Sequence, residues 1–414
     1  MLVISLKDKS LQLMDKLAQI CGQCGASNAE AKHMVELQNK TCLCGECIDV
    51  VFNFSQANRD KTGETAGVAA NGQTPRDIVA FLDQYIVGQD SAKKTLAIAV
   101  SNHYKRLNRP AALNDVEIDK SNVLMLGPTG TGKTLLAQTI ARMLDIPFTV
   151  ADATSLTQAG YVGDDVETIL QRLIQAADGD IEKAERGIVF LDEIDKLAKA
   201  GAGASITRDV SGEGVQQALL KLVEGARVSV PVSGNRKNPG AQVNYINTKN
   251  ILFICAGAFV PLLDKLNKPK RVRGSIGFVT SEKAEDKARS VTPELLAEFG
   301  MIPELIGRLP VISTLEALDV DALEKILTEP KNAIIRQMQA LFAMDDATLN
   351  FDDGAIRLIA ERAHKLKTGA RGARAILEEI LKQAQYEVPG TTGAMVTVKA
   401  DLTVNVAYPM AKAA

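Results

Sequence analysis

The segment at residues 127–134 constrains this chain more than any other, because it reads Gly-Pro-Thr-Gly-Thr-Gly-Lys-Thr. An apolar run at 123–126 predicts a buried strand before it, and residues 135–140 predict a helix after it. This is the strand–loop–helix context of a phosphate-binding loop. Glycines let consecutive backbone N–H groups turn inward around phosphate oxygens, and the helix start adds partial positive charge. The context favours a nucleotide site over a plain glycine-rich turn.

Most positions of this loop have a predicted part in the nucleotide site. Lys133 is predicted to reach the β- and γ-phosphates, and the Thr134 hydroxyl to hold Mg²⁺. The predicted nucleotide contacts in this segment are Pro128, Thr129, Gly130, Thr131, Gly132, Lys133, Thr134 and Leu135.

The composition predicts a soluble protein of several domains. The chain has 414 residues, and its 48 Lys and Arg are balanced by 50 Asp and Glu, so nothing in the overall charge indicates a nucleic-acid partner. Its apolar runs are too short to cross a bilayer, and charges at 7–9 interrupt the apolar start before a secretory segment forms. We therefore expect a cytoplasmic protein. Since Trp is absent and aromatic residues make up only 4%, the cores should be aliphatic.

Two C-x₂-C pairs near the start of the chain predict a zinc site. Cys21 with Cys24 and Cys44 with Cys47 are separated by nineteen residues, a spacing typical of a tetrahedral Cys₄ centre. A segment with so little core would gain most of its folding free energy from the metal. The alternative, a pair of disulfides, needs an oxidising compartment that nothing else in the sequence indicates.

Two other residues near the cysteine pairs, and the remaining cysteine, also need an interpretation. Cys42 lies close enough to compete for the metal, and we interpret it as a spare thiol. His33 is a weaker alternative ligand. Cys255 lies in an apolar run and is interpreted as a small core residue.

The chain divides by composition into four predicted parts. Residues 1–55 form the zinc module, which is predicted to begin with a short amphipathic helix at 1–19. Residues 56–74 are polar and small, as in a flexible linker. Residues 75–315 alternate strands with helices, the pattern of a doubly wound α/β domain. Residues 316–414 form an α-rich C-terminal domain, with a small edge sheet near 396–398.

Five apolar runs are predicted to form a parallel sheet whose two faces are both covered. These candidate strands are 123–126, 148–151, 188–191, 251–255 and 310–313.

Asp192 and Glu193 end the apolar run at 188–191. In a doubly wound sheet the carboxyl ends of strands face the nucleotide. Asp192 is predicted to hold Mg²⁺ together with Thr134, and Glu193 to polarise the water that attacks the γ-phosphate. The alternative is a solvated acidic turn.

Phosphoryl transfer also needs positive charge beyond the γ-phosphate. Arg308, after a glycine at the start of the last strand, and Arg371, at a helix start in the C-terminal part, are the candidates. Spacing alone does not separate them from solvated surface arginines.

The motifs and their order along the chain resemble those of the ClpX family, the AAA+ unfoldases that feed the ClpP peptidase. The resemblance rests on the cysteine module, Tyr85-Ile86-Val87-Gly88-Gln89, the phosphate loop, the run Leu-Asp-Glu-Ile-Asp-Lys at 191–196, and the segments 306–310 and 369–372. It implies a ring hexamer that hydrolyses ATP with Mg²⁺. Ile86 and Val87 would line the adenine pocket, Arg308 would act on the neighbouring subunit's nucleotide, and Arg371 would report nucleotide state.

The resemblance also gives meaning to three loops. Tyr161 and Val162 match the principal pore loop, which would grip polypeptide by apolar contact; without the resemblance a plain turn would be favoured. Arg208 lies in the match to the second pore loop. Arg236 and Lys237 match the outer pore loop.

Two further features concern partners. Ile276, Gly277 and Phe278 match the loop that docks into ClpP clefts, and an exposed apolar tripeptide is costly without a partner pocket. Asn238 stands where the family normally has histidine, so recruitment of acidic tags is expected to differ.

The resemblance favours an ATP-dependent unfoldase and translocase that recognises tagged or unfolded substrates and adaptors. One alternative is a related disassembly chaperone without a peptidase. Another is a nucleic-acid-dependent ATPase, but no basic run or interleaved aromatics accompany the cysteine pairs.

Overall fold

The computed structural model describes residues 73–109, 116–157, 164–198, 212–231, 243–267 and 291–408, with residues 21, 24, 26–27, 34–36 and 42–48. The chain divides into two compact units, Met1–Val68 and Ala69–Ala414. The helix expected at 1–19 lies outside the described residues, as does most of the linker. The predicted pore and docking residues also lie outside them: Tyr161, Val162, Arg208, Arg236, Lys237, Asn238, Ile276, Gly277 and Phe278.

A five-stranded parallel sheet forms the centre of the second unit, as predicted. Its strands are β1 (Val123–Leu126), β2 (Phe148–Asp152), β3 (Ile188–Asp192), β4 (Leu252–Gly257) and β5 (Val311–Thr314). The order across the sheet is β5-β1-β4-β3-β2. All side chains of β1 and β4 are buried, so both faces of the sheet are covered there. One strand, β4, therefore lies between β1, which leads into the phosphate loop, and β3, which carries Asp192.

Nine α-helices of the second unit precede β5 within the described residues and pack around this sheet. They are α1 (Pro75–Leu82), α2 (Asp90–Leu107), α3 (Lys133–Leu144), α4 (Thr168–Ala176), α5 (Ile181–Ala184), α6 (Glu213–Glu224), α7 (Val260–Asn267), α8 (Pro293–Phe299) and α9 (Pro303–Gly307). The core between them is mainly aliphatic, as the composition predicts, and Cys255 lies fully buried within it. An antiparallel ribbon that we did not predict pairs Arg227–Pro231 with Val243–Asn247.

After β5 the chain is mostly helical, as predicted. The helices are α10 (Val320–Thr328), α11 (Ile334–Met344), α12 (Ala355–Lys365) and α13 (Gly369–Glu387). The Asp319 carboxylate accepts the Ala322 N–H at 2.7 Å and caps the start of α10. The strands β6 (Thr348–Phe351), β7 (Met395–Val398) and β8 (Val404–Ala407) form a small sheet beside them, in that order. These elements share a separate hydrophobic core.

The first unit is described only around its cysteines. Met34–Glu36 pairs antiparallel with Cys42–Cys44. The backbone of Cys21 forms an isolated parallel β-bridge with that of Cys42, and no disulfide joins these two described residues. Among the described helices of the whole chain, none combines the length and the apolar character needed to cross a membrane.

Candidate nucleotide site and metal centre

The phosphate loop links β1 to α3 through backbone that only glycine adopts easily. Gly130 has φ of 80° and Gly132, directly before α3, has φ of 98°. The Thr131 hydroxyl donates to the Pro128 carbonyl at 2.9 Å and tightens the turn. The loop thus brings its amides to the start of α3, where the helix dipole favours an anion.

Lys133 is held inside this loop. Its side chain is 8% exposed, and Nζ donates to the carbonyls of Gly127 at 2.6 Å and Pro128 at 3.0 Å. Burial lowers the pKa of the Lys133 ammonium, while the nearby Asp192 carboxylate opposes that shift. The two loop carbonyls hold the Lys133 ammonium within the loop where the phosphates are predicted to bind.

Thr134 and Asp192 meet at the carboxyl end of β3. The Thr134 hydroxyl donates to Asp192 Oδ2 at 3.2 Å. A hydroxyl and a carboxylate are the oxygen ligands that Mg²⁺ accepts in phosphate sites, so the pair fits the predicted metal. Glu193 follows with φ of 57°, and its N–H donates to Asp192 Oδ1 at 2.9 Å. The left-handed backbone therefore turns Glu193 away from the strand direction.

A cavity of about 420 Å³ joins these groups. It is lined by Thr129, Gly130, Gly132, Lys133, Thr134, Leu135, Gln138, Asp192, Glu193, Asp195, Lys196, Ala258, Ala370 and Arg371. The cavity is large enough for part of a nucleotide and carries both charge signs. Arg371, which the sequence left ambiguous, lies in its wall.

The start of α13 contacts the phosphate loop directly. The Ala370 N–H donates to the Gly130 carbonyl at 3.4 Å. A Cβ atom on Gly369 would lie 2.8 Å from the Gly130 carbonyl oxygen, and a Cβ on Gly130 would lie 2.5 Å from the Thr368 oxygen. The two backbones can approach this closely because both residues are glycines. Through this contact the α-rich part closes one side of the cavity.

Arg308 lies outside this cavity. Its guanidinium is 56% exposed and pairs with Glu224 at 3.0 Å. Its carbonyl accepts from the buried Asn122 amide at 2.9 Å, which fixes the backbone beside β5. Arg308 therefore does not line the nucleotide cavity of its own chain, and its action on a neighbouring subunit stays a prediction.

Ile86 and Val87 also lie outside the lining of the cavity. Ile86 is buried, Val87 is half-buried, and the Ile86 carbonyl accepts from the buried Lys93 ammonium at 2.7 Å. Their contact with adenine stays a prediction.

The four predicted zinc ligands come together in the first unit. The Sγ atoms of Cys21, Cys24, Cys44 and Cys47 all lie within 4.8 Å of one another. Tetrahedral Zn²⁺ with Zn–S bonds of about 2.3 Å places sulfurs about 3.8 Å apart, so the cluster fits this ion. The Cys44 N–H points to Cys21 Sγ at 3.3 Å, and the Cys47 N–H to Cys44 Sγ at 3.4 Å. The neighbouring thiols, Cys24 first, raise the pKa of Cys47, and a bound cation would reverse this shift.

Comparisons with known proteins agree with this geometry. A family model for the AAA domain (Cdc48 subfamily) matches residues 118–312, and one for the C-terminal, D2-small domain, of ClpB protein matches residues 318–389. The protein named ATP-dependent Clp protease ATP-binding subunit ClpX from Treponema denticola is 47% identical over 382 residues, 91% of either chain. Its namesake from Bacteroides thetaiotaomicron is 47% identical over 383 residues, 90% of this chain and 92% of that protein.

This chain belongs to the ClpX family. As a ClpX-family member with an AAA domain it is an ATPase that uses ATP and Mg²⁺. The fold class predicted from the sequence is confirmed, and the four-cysteine cluster is compatible with the predicted zinc module.

Five residues in the lining of the cavity were not predicted as site residues from the sequence of this ClpX-family chain: Gln138, Asp195, Lys196, Ala258 and Ala370. Asp195 lies three positions after Asp192, on the turn that follows β3. A carboxylate so close to two predicted site residues was the sequence signal that could have identified it. Gln138 lies one helical turn after Thr134 on α3, which is the spacing that places it on the same face.

Removal of the metal should unfold the first unit and leave the ATPase unit folded. We expect Cys21→Ser with Cys24→Ser to lose bound zinc and the protease resistance of residues 1–55, because metal binding supplies the folding free energy of so small a module. ATP hydrolysis without substrate should change by less than about twofold, since the nucleotide site lies in the other unit.

The matched control is Cys42→Ser, which removes a buried thiol outside the four-sulfur cluster. Metal analysis should give the same zinc content as the unmodified chain. Loss of zinc in Cys42→Ser, with zinc retained in the double variant, would show that the ligand set is wrong.

Proposed function

We propose that this chain is the ATP-driven unfoldase and translocase of a Clp protease, which unfolds tagged proteins and passes them to the ClpP peptidase. The observation that supports this most is the position of the nucleotide cavity, whose wall combines Lys133, Asp192 and Glu193 with Arg371 from the α-rich part. A nucleotide that contacts both parts favours the relative orientation in which both sets of contacts form over orientations in which one set is lost. Hydrolysis is then coupled to movement.

The site residues take these roles in the proposal. Lys133 holds the β- and γ-phosphates, and Thr134 with Asp192 holds Mg²⁺. Glu193 orients the attacking water, and Arg371 senses the γ-phosphate. All five side chains line one cavity, which supports their acting on a single nucleotide.

The working assembly in this proposal is a ring of six copies in the cytoplasm. Arg308 completes the site of the adjacent copy, which accounts for its exposure outside its own cavity. Tyr161 and Val162 grip the substrate in the central pore with Arg208, Arg236 and Lys237. The tripeptide at 276–278 docks on ClpP. The roles of these loops rest on the sequence resemblance.

Degradation of a tagged, folded fluorescent reporter by this protein with ClpP and ATP tests the proposal. Tyr161→Ala should keep ATP hydrolysis within about threefold and lower reporter unfolding at least about tenfold, because the aromatic grip is lost while the nucleotide site stays intact. Tyr386→Ala is the matched control, since that tyrosine is 84% exposed near the end of α13 and does not line the cavity. Equal unfolding by both variants would remove the pore-loop role.

Deletion of residues 276–278 separates the peptidase role from unfolding. We expect the deleted protein to unfold the reporter but to lose its degradation by ClpP. Intact degradation would contradict the docking role. Unfolding by the unmodified chain without any degradation would favour the peptidase-independent chaperone.

A further inference from the structure

Asp195 connects two strands at the floor of the nucleotide cavity. It lies in the short 3₁₀ helix Ile194–Leu197, directly after Glu193. Its Oδ1 accepts the Ala258 N–H at 3.2 Å, and its Oδ2 accepts the Phe259 N–H at 3.3 Å. One carboxylate thus ties the turn after β3 to the backbone that follows β4.

The far end of this connection is firmly anchored. The Phe259 side chain is fully buried, and its ring packs against Phe299 with centroids 5.1 Å apart. Gly257, Ala258 and Phe259 carry no polar side chain. A contact from the β3 turn to this segment must therefore use backbone amides, and Asp195 supplies the acceptors.

The same segment reaches the phosphate loop. The Gly127 N–H donates to the Gly257 carbonyl at 3.2 Å, and the Gly127 carbonyl accepts from Lys133 Nζ at 2.6 Å. Hydrogen bonds and the intervening backbone therefore connect Asp195 through the end of β4 to Lys133, the lysine predicted to reach the phosphates. These contacts add to the pairing of β4 with β1 and β3, and to the Thr134–Asp192 hydrogen bond, in holding the acidic turn beside the phosphate loop.

Unfavourable backbone on both sides of the connection shows that it is held by its surroundings. Glu193 has φ of 57° and Phe259 has φ of 46°, a left-handed conformation that is unfavourable for a residue with a side chain. A Cβ on Gly257 would lie 2.6 Å from Asp195 Oδ1, so glycine is required for the carboxylate to approach. Without the two hydrogen bonds, the turn that carries Glu193 would be free to relax.

We propose that Asp195 is a positioning residue for ATP hydrolysis, which holds Glu193 at the distance from the phosphate loop that water activation requires. The inference rests on the proposed role of Glu193 as the group that orients water. Asp195 itself acts through the backbone and does not need to touch the nucleotide.

Steady-state ATP hydrolysis by Asp195→Ala, without substrate protein or ClpP, tests this proposal. We expect kcat to fall about 100-fold, the effect of a misplacement near 1 Å. The KM for ATP and the affinity for a non-hydrolysable analogue should change less than about threefold, because the phosphate loop and the metal ligands remain. Asp195→Asn keeps one acceptor oxygen and should recover part of the lost kcat.

Asp319→Ala is the matched control, because it also removes a carboxylate that accepts a backbone N–H, at the start of α10. Both alanine variants should lower the melting temperature, but only Asp195→Ala should lower kcat. Should Asp195→Ala fail to fold, the comparison passes to Asp195→Asn and Asp319→Asn. Unchanged kcat in a folded Asp195 variant, or an equal fall in both positions, would overturn the proposal.

Glu193→Gln in the same assay separates this inference from the proposed function. If Glu193→Gln loses hydrolysis while the Asp195 variants keep it, only the positioning role fails. If ATP hydrolysis follows the expected pattern but no variant or unmodified chain unfolds the reporter, the unfoldase proposal fails and the positioning role stands.

Discussion

Glu193→Gln is expected to leave ATP binding intact and to lower ATP hydrolysis at least about 100-fold. Glutamine keeps the size and the left-handed turn of residue 193, yet its amide does not accept a proton from water as a carboxylate does. Lys133, Thr134 and Asp192 remain in the cavity, so the affinity for a fluorescent ATP analogue should change less than about threefold. Phosphate release and analogue titration measure the two quantities.

Glu182→Gln makes the same chemical change at an exposed position on α5, outside the cavity. It should hydrolyse ATP at the unmodified rate. Normal turnover by Glu193→Gln would mean that another group activates the water. Loss of analogue binding in Glu193→Gln would instead show that this carboxylate holds the nucleotide or its metal.

Arg308→Ala is expected to lower ATP hydrolysis about 1,000-fold, the scale known for arginines that stabilise the charge of a transferring phosphoryl group. The fold should survive, since the Arg308–Glu224 pair is exposed and such pairs contribute about 0–1 kcal/mol. Arg357→Ala is a close control, because Arg357 is 54% exposed and also pairs with acidic residues. It should hydrolyse ATP normally.

Mixed rings distinguish an arginine that acts on a neighbour from one that acts within its own chain. Neither Arg308→Ala nor Glu193→Gln should hydrolyse ATP alone. In a ring that mixes them equally, about a quarter of the sites combine Glu193 from one chain with Arg308 from the next. Recovery near that fraction supports action across the boundary. If assembled mixed rings recover nothing, Arg308 does not act on the neighbour's nucleotide.

The strands of the central sheet were predictable because buried parallel strands read as unbroken apolar runs. The run at 123–126 matches β1 at both ends. The others end one or two residues later, and β4 continues to Gly257 because that residue pairs with Leu126 of β1. A run of apolar letters does not show this pairing, which depends on a strand far away in the chain.

The nucleotide site was predictable where its chemistry is local. The phosphate loop needs glycines, Lys133 and Thr134 within one turn, and Asp192 with Glu193 ends a strand, so both signals lie in adjacent residues. The cysteine pairs were equally plain, because zinc imposes its own spacing on the chain. Arg308 and Arg371 stayed ambiguous, since an arginine has the same local sequence whether it is solvated or aimed at a phosphate.

The amino-acid sequence by itself indicated the family, the nucleotide chemistry and the four cysteines that cluster in the structure, because each depends on residues close together in the chain. Only the tertiary structure decided that Arg371 enters the cavity while Arg308 does not, and that Asp195 ties the acidic turn to the end of β4. These are contacts between distant segments. They are set by how the strands order themselves and how two glycine backbones meet, and no short stretch of sequence contains that information.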